Sequence, residues 1–92
     1  MRIIGYLPHE RFKITVFKDN NRLSVKFENG LYEQTYKFRD RAELQNLEQV
    51  GKLVDAAFLA EVTDGFRRMH RTQHAALSRT LPPDGEWLDT IL

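Results

Sequence analysis

From Asp40 to Arg79 the chain runs forty residues without a proline, in helix-forming composition, directly after four short strand-like segments. At about 1.5 Å per residue such a helix spans roughly 60 Å. A strand of about seven residues covers only about 23 Å. One small sheet cannot lie under all of that helix, so the excess bends back, meets a partner or stands in water. The feature that most constrains the fold therefore points to assembly rather than to chemistry.

The strands are placed by their turns and alternation. Asn29-Gly30 is the residue pair suited to a two-residue type I′ hairpin turn, which sets Glu28 opposite Leu31, Phe27 opposite Tyr32 and Val25 opposite Gln34. Leu23, Val25, Phe27, Tyr32 and Tyr36 then share one side, while Lys26 meets Glu33 on the other. Upstream, Phe12 to Phe17 alternates with period two. A turn at Asp19-Asn20 pairs Ile14 with Val25, and a turn at Asn20-Asn21 shifts the register by two with the same faces. Arg2 to Leu7 is the fourth strand, joined through Pro8-His9-Glu10. An antiparallel meander with one apolar face needs a cover.

The helix supplies the cover, and Asp40 with Glu43 has the spacing of an N-cap box, with Asn46 and Gln49 as a second start. Leu44, Leu47, Val50, Val54, Ala57 and Phe58 recur at helical spacing, followed by Leu59, Val62, Phe66, Met69 and Leu77. At about 100° per residue the two sets do not share a face. The apolar centre moves around positions 60–65, where Gly65 lowers helix propensity by about 1 kcal/mol relative to alanine. Either the helix kinks there, or it is straight and its halves pack on different surfaces. Beyond it, Leu81-Pro82-Pro83-Asp84-Gly85 reads as a stop and turn, and Trp87, Leu88, Ile91 and Leu92 as one apolar side of a short tail. The fold expected is α+β: a four-stranded antiparallel meander followed by one long C-terminal helix over one face. It forms a single domain, 1–92, divided into sheet 2–39, helix 40–79 and tail 80–92.

Net charge is +1, so no global field demands a polyanionic partner, and the absence of cysteine removes thiolate chemistry. The apolar run before Pro8 is too short for a signal peptide, and no stretch approaches the roughly 20 apolar residues of a membrane span. A cytoplasmic protein with no membrane partner is expected. His70 and His74 stand at i and i+4, a zinc-gripping spacing, but Arg67, Arg68 and Arg71 surround them and no acid occurs from Gly65 to Pro83. No metal or cofactor is expected. Neither a nucleophile elbow nor a phosphate-cradling glycine loop is present, and the chain does not read as an enzyme.

Two surfaces remain. The sheet face away from the helix carries Lys13, Thr15, Phe17, Arg22, Ser24, Lys26, Glu33, Thr35, Lys37 and Arg39. Cations with an exposed aromatic suit a single nucleic-acid strand, whose phosphates meet charge and whose bases stack on rings. Arg67 and Arg71 could extend that surface. The second half of the helix offers Phe66, Met69, Gln73 and Leu77, with Trp87 from the tail, as a homodimer interface. Its early acids and late bases suit an antiparallel pair of copies. The order of four meander strands and one long helix, over residues 2–79, is similar to the architecture of Whirly and Pur-alpha-type single-stranded DNA binders. That resemblance in element order implies pairing of units and strand binding across a sheet surface. The expected function is a homodimeric protein-interaction module, with single-stranded nucleic-acid binding as the alternative.

Overall fold

The computed structural model describes residues 2–81. Strands β1 (Arg2–Leu7), β2 (Lys13–Lys18), β3 (Arg22–Asn29) and β4 (Tyr32–Arg39) form one antiparallel sheet in the order β1-β2-β3-β4. Helices α1 (Leu47–Leu53) and α2 (Ala56–Thr80) follow and cover one face. The expected meander with a long C-terminal helix is the observed architecture.

Both hairpins take registers that leave the faces intact. Lys18 pairs with Leu23, which puts the β2–β3 turn at Asn20-Asn21, the second of the two possible positions. Asn29 pairs with Tyr32 rather than Glu28 with Leu31, so Gly30 and Leu31 are the central turn residues. Gly30 has φ +63 and no non-glycine residue among the described residues has positive φ, as a type II′ turn with glycine first requires. The expected type I′ turn would have needed positive φ at both positions. Leu31, now at the tip, is 77% exposed.

The inner face is built from Phe12, Ile14, Val16, Leu23, Val25 and Phe27, all buried. Outer strand axes in a four-stranded sheet lie about 14 Å apart, three spacings of about 4.8 Å. A helix with side chains is about 10–12 Å across, so one helix cannot roof such a face. The chain answers with two. Asn46, not Asp40, caps α1: its side chain accepts from the Gln49 N–H at 2.9 Å, and Gln49 Oε1 accepts from the Gln45 N–H at 2.6 Å. Asp40 instead accepts from Lys18 Nζ at 3.0 Å and Gln45 Nε2 at 2.7 Å, tying the linker to β2. Those bonds hold its carboxyl below the ordinary value. α1 packs toward β1, where Leu47 sits over Gly5 and Val50 is fully buried. The helix then breaks at Val54, and Asp55 starts α2 by accepting from the Phe58 N–H at 2.9 Å.

The expected single helix from Asp40 is thus two helices, and the rotated stripe belongs to the junction at 54–55, not to positions 60–65. α2 is continuous through Gly65. Phe58 stacks on Phe27 and meets Tyr36 edge-on, Val62 is fully buried, and Phe66 packs on Phe12 with ring centroids 5.2 Å apart. Gly65 is a close-approach position: a Cβ there would lie 2.7 Å from Gln34 Nε2. That amide donates to the Val62 carbonyl at 2.8 Å, and the Tyr36 hydroxyl donates to Gln34 Oε1 at 2.5 Å. Further along, the Tyr32 hydroxyl donates to Gln73 Oε1 at 2.6 Å and lies 3.0 Å from His70 Nδ1. With the hydroxyl proton given to Gln73, Nδ1–H is the donor of the second bond. Successive inward residues of β4 thereby hold α2 antiparallel to the strand. Gln73 makes the last of these bonds, and the seven residues of α2 that follow it add about 10 Å of helix.

Gly65→Ala separates these roles. Alanine adds about 1 kcal/mol of helix propensity but displaces an amide held by two hydrogen bonds, each contributing about 0.5–1.5 kcal/mol. By urea denaturation the substitution is expected to destabilise the native chain by up to about 2 kcal/mol and to stabilise a Gln34→Ala background by about 1 kcal/mol. The same sign in both backgrounds would contradict the close-approach role.

Candidate nucleic-acid interface

The face away from the helices is shaped by a bulge in β1. Ile3 pairs with Phe17 and Gly5 with Val16, so Ile4 is the extra residue. Gly5 has φ +156 and carries no Cβ where Leu47 Cδ2 would come within 2.7 Å. The slip sends Ile4 and Leu7 inward, where they pack on the core, and turns Ile3 and Tyr6 outward at 50% and 54% exposure. Tyr6 stands opposite Thr15, with Phe17 diagonal to it on β2. Two aromatics and Ile3 thus share the outer face, where alternation in the sequence points to Phe17 alone. The readable signal is Gly5 inside a strand, a common mark of a bulge.

Polar residues complete cross-strand rows. Thr15 lies between Tyr6 and Lys26, and Ser24 between Phe17 and Lys37. Both small side chains are buried, Thr15 at 3% and Ser24 at 5%, in rows of longer neighbours whose stems shield them. They form a floor rather than contact points. Lys13 faces Glu28 across the ladder, and its Nζ lies 5.8 Å from the Tyr6 ring centroid. Lys26 pairs with Glu33 at 3.3 Å and Glu28 at 4.0 Å. Glu28, absent from the outer-face set drawn from sequence, therefore offsets part of the charge near the β3–β4 turn. At the opposite end Arg22 stands directly opposite Arg39, and Lys37 follows opposite Ser24; Asp40 borders a hollow with the two arginines, but its carboxyl is bonded to Lys18 and Gln45. None of Arg22, Lys37 and Arg39 makes an ion pair among the described residues. The cations without an ion pair lie beside Phe17, at the Arg22–Arg39 end.

No protein-family model, curated protein or solved structure matches this chain. The likeness to Whirly and Pur-alpha-type proteins stays one of element order, and the residues themselves must carry any functional reading.

The remaining site residues separate from this face. Arg67 and Arg71 lie on α2, across the sheet from Lys13, Phe17, Arg22, Lys26, Lys37 and Arg39, and line a cleft with Arg11 and His70. They do not extend the outer surface. Of the interface set, Phe66 is 6% exposed and belongs to the core of its own chain. Met69 packs on that core, Gln73 is bonded to Tyr32, and Leu77 is half-buried on the last part of α2. Trp87 lies outside the described residues. Among the described residues no cluster of three metal-ligating side chains occurs, and no helix is long and apolar enough to cross a membrane.

Like charges directly opposite each other destabilise a strand pair. Arg22→Glu converts the Arg22–Arg39 pair into an attractive one and is expected to raise stability in urea by about 0.2–1 kcal/mol at low ionic strength. The gain should shrink with added salt; a loss of stability at low salt would contradict the placement of the two arginines.

Proposed function

We propose that the chain is a single-stranded nucleic-acid-binding module that uses the outer face of its sheet. The observation that carries this reading is the pairing of outward aromatics, Tyr6 and Phe17, with the cations Arg22, Lys37 and Arg39 on one surface. Bases of a single strand would stack on Tyr6 and Phe17, each such contact contributing about 1–3 kcal/mol. Phosphates would pass along Lys37 and between Arg22 and Arg39, where an anion relieves the repulsion of two opposed guanidinium groups. Duplex bases are stacked on one another and present no free ring to a flat sheet, which favours the single strand.

Fluorescence anisotropy with a labelled single-stranded oligonucleotide, at low and moderate salt, tests this. Binding that weakens as salt rises is expected. Tyr6→Ala should lower affinity about tenfold. Arg22→Glu with Arg39→Glu should flatten the salt dependence, because each phosphate no longer neutralised by an arginine keeps roughly one counterion. Absence of binding at low salt, or indifference to all three substitutions, removes the reading.

A homodimeric interaction module is a second reading, favoured by the part of α2 beyond Gln73. Between α2 and β4, and reaching the start of that part, lies a groove of about 630 Å3 bordered by Tyr32, Gln34, Met69, Gln73 and Ala76. Glu61 and Asp64 precede Arg67, Arg68, Arg71 and Arg79 along α2, so an antiparallel copy would set opposite charges together. Light scattering should then give twice the chain mass at micromolar concentration; a monomer throughout would exclude it.

A further inference from the structure

We propose that the cleft between the β1–β2 loop and α2 is a binding site for a small phosphorylated ligand with a planar body, of the nucleotide class. The cleft measures about 480 Å3, within the range of small-molecule sites. It lies on the helix side of the sheet and does not depend on the outer-face reading.

Three arginines from two elements line it. Arg67 and Arg71 stand one turn apart on α2, a like-charge spacing that disfavours the helix. Arg11 arrives from the β1–β2 loop, whose shape is fixed rather than loose. His9 Nδ1 accepts from the N–H groups of Arg11 and Phe12, at 3.1 and 3.2 Å, and its ring stacks on Phe12 at 4.5 Å between centroids. Phe12 in turn packs on Phe66. The aromatic stack thus fixes the backbone at Arg11, whose side chain lines the cleft with the other two. Among the described residues no carboxylate lines the cleft; Asp64 engages one arm of Arg67 at 3.1 Å from the helix surface, and Arg11 and Arg71 have no ion-pair partner. Guanidinium groups brought together in this way match the oxygens of a phosphate, to which arginine binds through paired N–H donors.

The rest of the lining selects what carries the phosphate. Phe12, Phe66 and Tyr32 border the other side, where the half-buried Tyr32 is the least covered of the three. His70 adds a polar group: its Nδ1 is engaged by Tyr32, leaving Nε2 as the ring nitrogen available to a ligand. A phosphate on the arginines with a planar ring against the aromatic side satisfies both halves.

Isothermal titration calorimetry at low salt with adenosine 5′-monophosphate, inorganic phosphate and adenosine tests both halves separately. The monophosphate should bind most tightly, phosphate more weakly, and adenosine without measurable heat. Arg67→Glu with Arg71→Glu should reduce monophosphate affinity by at least about tenfold, as removal of one charge-assisted hydrogen bond would. A circular-dichroism melt establishes that each variant is folded. Arg11→Gln, which leaves the helix untouched, should weaken binding in the same direction. Competition by a 5′-phosphorylated single strand and not by its 5′-hydroxyl counterpart would identify a strand terminus as the source of the phosphate. Competition by neither would identify a free nucleotide. Absence of monophosphate binding at millimolar concentration, indifference to the Arg67 and Arg71 changes, or equal competition by both strands would overturn the proposal.

Discussion

The width of the apolar sheet face governs the rest of the molecule. The fully buried side chains of Val16, Leu23, Val25, Phe27, Val50 and Val62 mark where the two layers meet. A face four strands wide exceeds the reach of one helix, and an uncovered half would leave Ile4 and Leu7 or Tyr36 and Phe38 in water. The break at Val54–Asp55 resolves this by sending α1 over β1 and α2 along β4. The break is stabilised locally at both ends: the Val54 N–H stays bonded to the Val50 carbonyl, and the Asp55 side chain caps the next helix. Each helix meets the sheet through a missing Cβ, Gly5 beneath Leu47 and Gly65 above Gln34.

Covering one face completely leaves the other free to specialise. The bulge at Ile4 couples the two layers, because the same slip that admits Leu47 above Gly5 turns Tyr6 and Ile3 outward. A residue set chosen for packing on one side thereby determines which rings are offered on the other. The cations are likewise divided. Lys13 and Lys26 stand among Glu28 and Glu33, whereas Arg22, Lys37 and Arg39 stand without carboxylate partners among the described residues. Arg67 and Arg71, on α2, belong with Arg11 in a separate cleft.

Much of this was legible in sequence, and the exceptions have physical causes. Alternation in Phe12–Phe17 and Leu23–Phe27 specified the buried face, because a shift of two residues in either hairpin leaves it unchanged. The turn type did not follow from Asn29-Gly30, because the register moves the central pair to Gly30-Leu31, where only the glycine takes positive φ. The helix break answers the width of the sheet face, which helix length alone does not express, although Asn46 with Gln49 and Asp55 stand in the sequence as caps. Gly65 carried the wrong meaning because its partner, Gln34, is polar and distant in sequence. The outward turn of Tyr6 depended on a one-residue slip that no periodicity in a six-residue strand can announce. Asp40 and Glu43 have capping-box spacing yet bind Lys18, Gln45 and Arg41 instead.

The central claim is that the chain divides its labour by face, with the inner face closed by two helices and the outer face left to bind a strand. Amide and side-chain NMR shifts of the labelled protein, followed during titration with a short single-stranded oligonucleotide, test it residue by residue. Perturbations are expected at Tyr6, Phe17, Arg22, Lys37 and Arg39, with α1 and the buried residues of α2 undisturbed. Perturbations confined to α2, or none at low salt, would contradict it.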